Sequence, residues 1–599
     1  MRWRPALWVR RWLRDRRGRR AVRLERRQKA QRPSFRARRL TVLSAFAVIA
    51  LVMLSGAVEH QILEVDFLQK EGARRYLTRI DIPVHRGQIT DRDGAILAAS
   101  APVDSVWVDP RTLRPDHPGI DALAKALTMS GAELRGKLAK AQGRAFLYLR
   151  RRALPEEVER VMAAVEANDI PGVELQREYR RYYPDGEVFA HAIGFTDIED
   201  NGQEGLEFAY NDALKGAPGL RRVIRDGRRW VVKDVESIRA PQPGRDLVLS
   251  IDRRLQYLAY RELKAAVQKH RAKSASLVLL DVSTGEVLAM VNQPSYNPNG
   301  DRSGTGGRLR NRAVTDLFEP GSTMKPFTVA IAMDAGRIRA NTVIDTSPGY
   351  FSVGRYQVKD HHNLGAIDIA TLLRKSSNVG SAKIALDLSP ELFWRGLHNL
   401  GFGTPTAAGL PGEAGGQLAP PKDWARIEQA TMSFGYGLSM TPLQLAQAYA
   451  VLAADGVRRP VSVLKVDEPP AGQQVLRADT ARQVRNMLEG VATREGTAPR
   501  AAVPRYRVAG KTGTVRRLGA SGYTKDSYIA VFAGLAPVGQ PRFALVVTIS
   551  EPSAGKYYGG EVAAPVFSAV MEGALRLLNV APDADPATDI RLAQAGGAP

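Results

Sequence analysis

Three short patterns in this chain can do chemistry together: Ser322-Thr323-Met324-Lys325, Ser376-Ser377-Asn378 and Lys511-Thr512-Gly513, the first two serines standing 54 positions apart and Lys511 standing 135 beyond Ser376. Their residue types point to acyl transfer through a serine ester. A serine alcohol is a poor nucleophile until a base takes its proton, and a lysine serves as that base only when burial or a second cation lowers its pKa. Lys325 is the candidate base and Lys511 the candidate second cation. Taken singly, each pattern also reads as ordinary structure: a helix cap at Ser322, a polar helix start at Ser376, a strand end at Lys511. Their joint order and context favour the chemical reading.

The elements that must position these groups follow from the neighbouring residues. Pro320-Gly321 ahead of Ser322, and the apolar run from Phe327 to Met333, place Ser322 in the first turn of a helix. Free backbone N–H groups and the positive dipole end favour a developing anion there, and Lys325 at i+3 shares the face. Tyr506 to Thr514 reads as a strand that sends Lys511 and Gly513 to one face, with hydroxyls on Thr512 and Thr514 able to bind a carboxylate. The backbone N–H groups of Ser322 and Thr514 are candidate oxyanion donors, each worth about 3–4 kcal/mol. Ser376 can relay a proton to a departing amine, and Asn378 can hold the substrate peptide or Lys325. A phosphate loop at Gly510-Lys511-Thr512 is excluded, because the glycine it requires five residues earlier is Arg505.

The formal charge is +24, of which residues 1 to 39 supply most, with 17 Arg and Lys against Asp15 and Glu25. Leu40 to Val58 then carries no charged side chain over 19 residues, enough to cross about 30 Å of hydrocarbon as one transmembrane helix. The positive-inside bias keeps the basic leader cytoplasmic and the bulk of the chain on the other side. A cleaved signal ending near Ser55-Gly56-Ala57 is the rival, but its leader would be long. No zinc, helix-turn-helix or aromatic-basic motif accompanies the basic tail, so anionic lipid suits it better than nucleic acid. Zero cysteines exclude thiol chemistry. The eight histidines include His361-His362 but no metal-ligand spacing, so no metal or other cofactor is expected.

Residues 60–240 read as a mixed scaffold, with an Asp93-Gly94 hairpin between Ile80 and Ser100 and a helix around Pro155 to Asn168. Ala240-Pro241-Gln242-Pro243-Gly244 is the candidate linker. Beyond it, residues 245–578 read as a second domain with strands at Ser276 to Val282, Glu286 to Val291, Tyr528 to Leu535 and Arg542 to Ile549, and a terminal helix from Pro565 to Leu578. That order suggests an α+β fold whose antiparallel sheet is made from both ends of the domain around a helical insert. Residues 579–599 are expected to be a flexible tail.

At these residues the chain resembles a class B penicillin-binding protein, a monofunctional peptidoglycan D,D-transpeptidase. The three motifs are the trio of penicillin-binding proteins and serine β-lactamases. Arg86-Gly87 with Asp91-Arg92 and Gly94, and Gly205-Leu206-Glu207, are similar to signatures of the family's N-terminal pedestal. Phe434 to Gly437, Thr441 to Gln444, and Gly559-Gly560 with Ala564 to Phe567 are similar to segments flanking K-T-G. The resemblance implies that Ser322 attacks a D-alanyl-D-alanine carbonyl with Lys325 as base, that a neighbouring strand's amine resolves the ester, and that β-lactams acylate the same serine. Tyr179 to Pro184 and Gly194-Phe195-Thr196 look more like the septal, cell-division branch than the elongation branch, which implies a polytopic glycosyltransferase and other division proteins as partners. A class A enzyme would need a glycosyltransferase site before the linker. A serine β-lactamase would be much shorter, and a β-lactam sensor would keep the pocket without cross-linking.

Overall fold

The apolar run after Arg38 and Arg39 forms one helix, Phe35–Val58. None of the run is buried, and 24 residues at 1.5 Å each exceed the hydrocarbon core's thickness of about 30 Å. It fits a single-pass membrane segment. This computed structural model describes residues 35–63, 65–67, 77–225, 231–302, 306–519 and 522–584. Most of the basic leader (1–34) and of the Ala-, Pro- and Asp-rich tail (585–599) lies outside the described residues.

The chain divides into two compact units. One is Met1–Asp81 with Leu220–Arg239, the other Ile82–Gly219 with Ala240–Pro599. The first holds the apolar helix and a three-stranded sheet ordered Leu77–Ile82, Gly219–Arg225, Val231–Arg239.

In the second unit, Ile89–Thr90 and Ile96–Val108 pair antiparallel around the Asp93-Gly94 turn. Asp91 closes that turn by accepting from Asp93 N at 2.9 Å and Ala95 N at 2.7 Å. Its other oxygen accepts from Arg253 N at 3.2 Å, and Arg92 pairs with the buried Glu286 at 3.3 Å. The signature thereby anchors its turn to the elements that carry the active-site sheet. The expected helix near Pro155 spans Pro155–Ala167.

Beyond residue 245, the amphipathic helix α1 (Arg253–His270) begins where Asp252 accepts from Arg254 N and Leu255 N. Strands β1 (Ser274–Asp281) and β2 (Val287–Gln293) follow, then helices α2 (Lys325–Asp334), α3 (Asn378–Leu386) and α4 (Pro442–Ala453). Strands β3 (Ala509–Gly519), β4 (Gly522–Ala536) and β5 (Phe543–Ser550) and helix α5 (Ala564–Leu577) complete the fold. The sheet is antiparallel in the order β2-β1-β5-β4-β3. β1 and β5 are buried almost without alternation, which requires cover on both faces. α1 and α5 pack together and on the sheet, and α4 also lies against β1, β4 and β5. Both ends of the segment therefore build the sheet, as its order suggests. β3 begins at Ala509 rather than Tyr506, because Arg505 turns the chain with φ +68°.

Two guanidinium groups share one buried carboxylate in this unit. Glu207 Oε2 accepts from Arg86 Nε and Oε1 from Arg181 Nε, each at 2.6 Å, with all three side chains at most 1% exposed. Arg86 also reaches the carbonyls of Asp200 and Glu207 and the Asn211 amide oxygen. Removing the shared anion strands both cations, so Glu207→Ala should cost about 3–5 kcal/mol and lower the thermal unfolding midpoint. Arg261→Ala, which removes an exposed pair with Glu262, should leave the midpoint nearly unchanged.

Candidate active site

Ser322 sits in a tight 3-10 turn, Gly321–Met324, and the α-helical ladder of α2 starts at Lys325. The sequence suggested one continuous helix. Pro326 lies in the first turn of α2 and has no N–H to give, so the preceding turn closes with i→i+3 bonds. In such a turn, side chains three apart eclipse each other, and Lys325 Nζ lies 3.0 Å from Ser322 Oγ.

Lys325 is fully buried. Its amine also contacts the Ser376 carbonyl at 2.6 Å, Ser376 Oγ at 3.0 Å and Asn378 Oδ1 at 2.7 Å. Lys511, equally buried, approaches the same Ser376 Oγ at 3.0 Å. Two ammonium groups beside one oxygen would repel by about 3 kcal/mol at an effective dielectric of about 20. Burial first, and then the charge of Lys511, push the Lys325 pKa well down, with Asp360 partly opposing. Burial alone brings Lys511 to about 7. A neutral Lys325 can donate to Asn378 Oδ1 and the Ser376 carbonyl and turn its lone pair toward the Ser322 hydroxyl.

Ser376 adopts the left-handed region with φ +65°, a conformation that costs a non-glycine residue about 1–2 kcal/mol. This is the left-handed cap that ends the helix Ile369–Lys375, where the Leu372 carbonyl accepts from Ser377 N at 3.0 Å. Asp360 then pins the residues that follow: its carboxylate accepts from Ser377 Oγ at 2.5 Å, Asn378 N at 2.5 Å and Val379 N at 3.0 Å. This anion at the start of α3 fixes the motif that carries both the relay hydroxyl and the Asn378 amide. Asn378 Nδ2 donates to the Lys359 carbonyl at 2.9 Å, so its Oδ1 faces the amine.

β3 is the sheet's edge and runs beside the Ser322 turn. A Cβ at Gly513 would stand 2.8 Å from the Pro320 carbonyl, and one at Gly321 would stand 2.6 Å from Val515 Cγ2. Thr512 Oγ1 lies 2.9 Å from Thr497 Oγ1. Thr514 Oγ1 accepts from Gly559 N at 3.0 Å, which leaves its O–H to donate. The structure thus brings Ser322, Lys325, Ser376, Asn378 and Lys511 into one cluster, with Thr512, Gly513 and Thr514 along the adjoining strand. Among the described residues no cluster suited to a metal ion is found.

Residues 275–572 match the family model of the penicillin-binding protein transpeptidase domain, and 81–249 that of the penicillin-binding protein dimerisation domain. The peptidoglycan D,D-transpeptidase FtsI of Escherichia coli is 44% identical over 554 residues, spanning 91% of this chain and 93% of that protein. The chain belongs to the class B penicillin-binding proteins. Among solved structures, the transpeptidase domain of Burkholderia pseudomallei penicillin-binding protein 3 is 45% identical with a TM-score of 0.53, covering 56% of this chain and 98% of that one. Penicillin binding protein 3 of Mycobacterium tuberculosis, solved with aztreonam, is 27% identical with a TM-score of 0.66 and covers 84% and 98%.

In this class B penicillin-binding protein, sequence reasoning missed the roles of Asp360 and of Gly559, which it singled out only within a segment flanking K-T-G and not for its bond to Thr514. Asp360 follows a short hairpin strand with no local pattern, and Gly559 acts through its backbone. Both become visible only when the chain is folded. Gly513→Ala should drive β3 away from the Pro320 carbonyl and slow acylation by a fluorescent penicillin at least tenfold, read by timed gel labelling.

Proposed function

We propose that this protein cross-links peptidoglycan stem peptides at the division septum through an acyl-enzyme on Ser322. The observation that carries the reading is the 3.0 Å contact of Ser322 Oγ with a fully buried amine whose pKa is depressed. Lys325 takes the Ser322 proton as Oγ bonds to the penultimate D-alanine carbonyl. The backbone N–H groups of Ser322 and Thr514 hold the resulting oxyanion. The intermediate collapses with cleavage of the C–N bond, and Ser376, between the two lysines, passes a proton to the departing D-alanine amine. An amine of a second strand then attacks the ester, forms the cross-link and restores Ser322. Thr512 and Thr514 grip the donor's terminal carboxylate beside Lys511, and Gly513 lets the donor backbone approach. β-Lactams follow the first half of this path and stay on Ser322.

Residues 60–240 serve as pedestal and 245–578 as catalytic domain. The Phe35–Val58 helix anchors the protein in the inner membrane, with the basic N-terminus cytoplasmic and the catalytic domain periplasmic. Likeness to the enzyme named FtsI supports the septal branch, and with it a polytopic glycosyltransferase and other division proteins as partners.

Ser322→Ala should abolish fluorescent-penicillin labelling of membranes; label that persists would sink the assignment. Depletion should give filaments, and rounded cells would point to the elongation branch. Because Lys511 lowers the Lys325 pKa, Lys511→Ala should raise it. The acid limb of the residual acylation rate, which requires a neutral Lys325, should therefore move to higher pH.

A further inference from the structure

Glu319, three residues before Ser322, belongs to none of the three motifs, yet it ties together the segments around the nucleophile. Its Oε1 accepts from Gly437 N at 2.8 Å and from the Tyr523 hydroxyl at 3.0 Å. Tyr523 stands on β4, in the far part of the β3–β4 hairpin, and its ring meets that of Tyr436 edge-on at 5.8 Å. Gly437 and Tyr436 belong to the segment that already holds the Ser322 turn: Gly321 N donates to the Gly435 carbonyl, and Phe318 and Met440 exchange both backbone bonds. Gly435 and Gly437 both lie in the left-handed region, with φ +87° and +82°. A Cβ at Gly435 would fall 2.4 Å from Gly321 N. This close contact leaves no slack between the segment and the nucleophile turn. The second oxygen, Oε2, is buried and has no hydrogen-bond partner among the described residues. Half-burial also raises the carboxyl pKa, so the side chain carries a desolvation cost that an exposed glutamate would not.

We propose that Glu319 is a positioning residue for acylation: by bridging Gly437 and Tyr523 it locks the Ser322 turn to the far end of the β3–β4 hairpin, and so fixes Ser322 against Thr514, midway along β3. The bridge needs an acceptor oxygen, not a charge. A neutral amide can accept both bonds, whereas an alanine can accept neither, and Tyr523→Phe removes one donor while keeping the ring contact.

The inference rests on Ser322 being the acylated residue, which the Ser322→Ala control tests by itself. The experiment is stopped-flow acylation of the full-length protein by a fluorescent penicillin, separating the non-covalent dissociation constant from the acylation rate constant, with melting temperature measured alongside. Glu319→Ala should slow the acylation step at least tenfold and change the dissociation constant less than threefold. Tyr523→Phe should slow the step about threefold, and Glu319→Gln should stay within about threefold of wild type. A Glu319→Gln variant as slow as Glu319→Ala would overturn the proposal, since charge would then be what matters. A Glu319→Ala variant that melts lower yet acylates at the wild-type rate would overturn it as well.

Discussion

The active site depends on placing two lysine amines, both out of contact with water, against one serine oxygen. Burial alone brings Lys511 to about 7, and burial together with the charge of Lys511 drives Lys325 well down. A buried lysine without hydrogen-bond partners would be an uncompensated cost, and a solvated pair would remain ammonium. Here Lys325 has four oxygen neighbours and Lys511 shares one of them. The neutral form of Lys325 is thus both electrostatically favoured and fully hydrogen-bonded, a state that can accept a proton from Ser322.

The rest of the fold keeps that arrangement from relaxing. Mutual repulsion would push the lysines apart if their carriers could move, but α2 is buried in the core and Lys511 lies on a strand whose register to β4 pairs it with Ala533. Ser376 takes its strained backbone state as the cap of the Ile369–Lys375 helix, Asp360 pins the residues just after it, and the edge strand closes on the Ser322 turn because two glycines leave room for contact. Strain at Ser376 and the desolvation of two amines are tolerated because one large core, built on the five-stranded sheet, surrounds them.

Much of this was legible in the chain. S-x-x-K, S-x-N and K-T-G name residue types with one plausible chemistry in common, and the strands at each end of residues 245–578 declare themselves by apolar runs between turn residues. The apolar stretch after Arg39 is equally plain. Less legible were the supports. Asp360 acts across a hairpin, and Glu319 and Gly437 are 118 residues apart. The bond from Gly559 to Thr514 uses a backbone amide that every residue but proline possesses. The 3-10 turn at Ser322 shows the same limit: sequence spacing predicts that Ser322 and Lys325 share a face, while the local hydrogen-bond pattern is set by Pro326 and by packing against β3.

The central claim is that Lys325 is a neutral amine in the resting protein. Nitrogen-15 NMR of the lysine Nζ resonances, with Lys325→Arg supplying the assignment, tests it directly. The Lys325 signal should change to that of a neutral amine at a pH well below the ordinary 10.5. An ammonium signal that persists up to that ordinary value would contradict it.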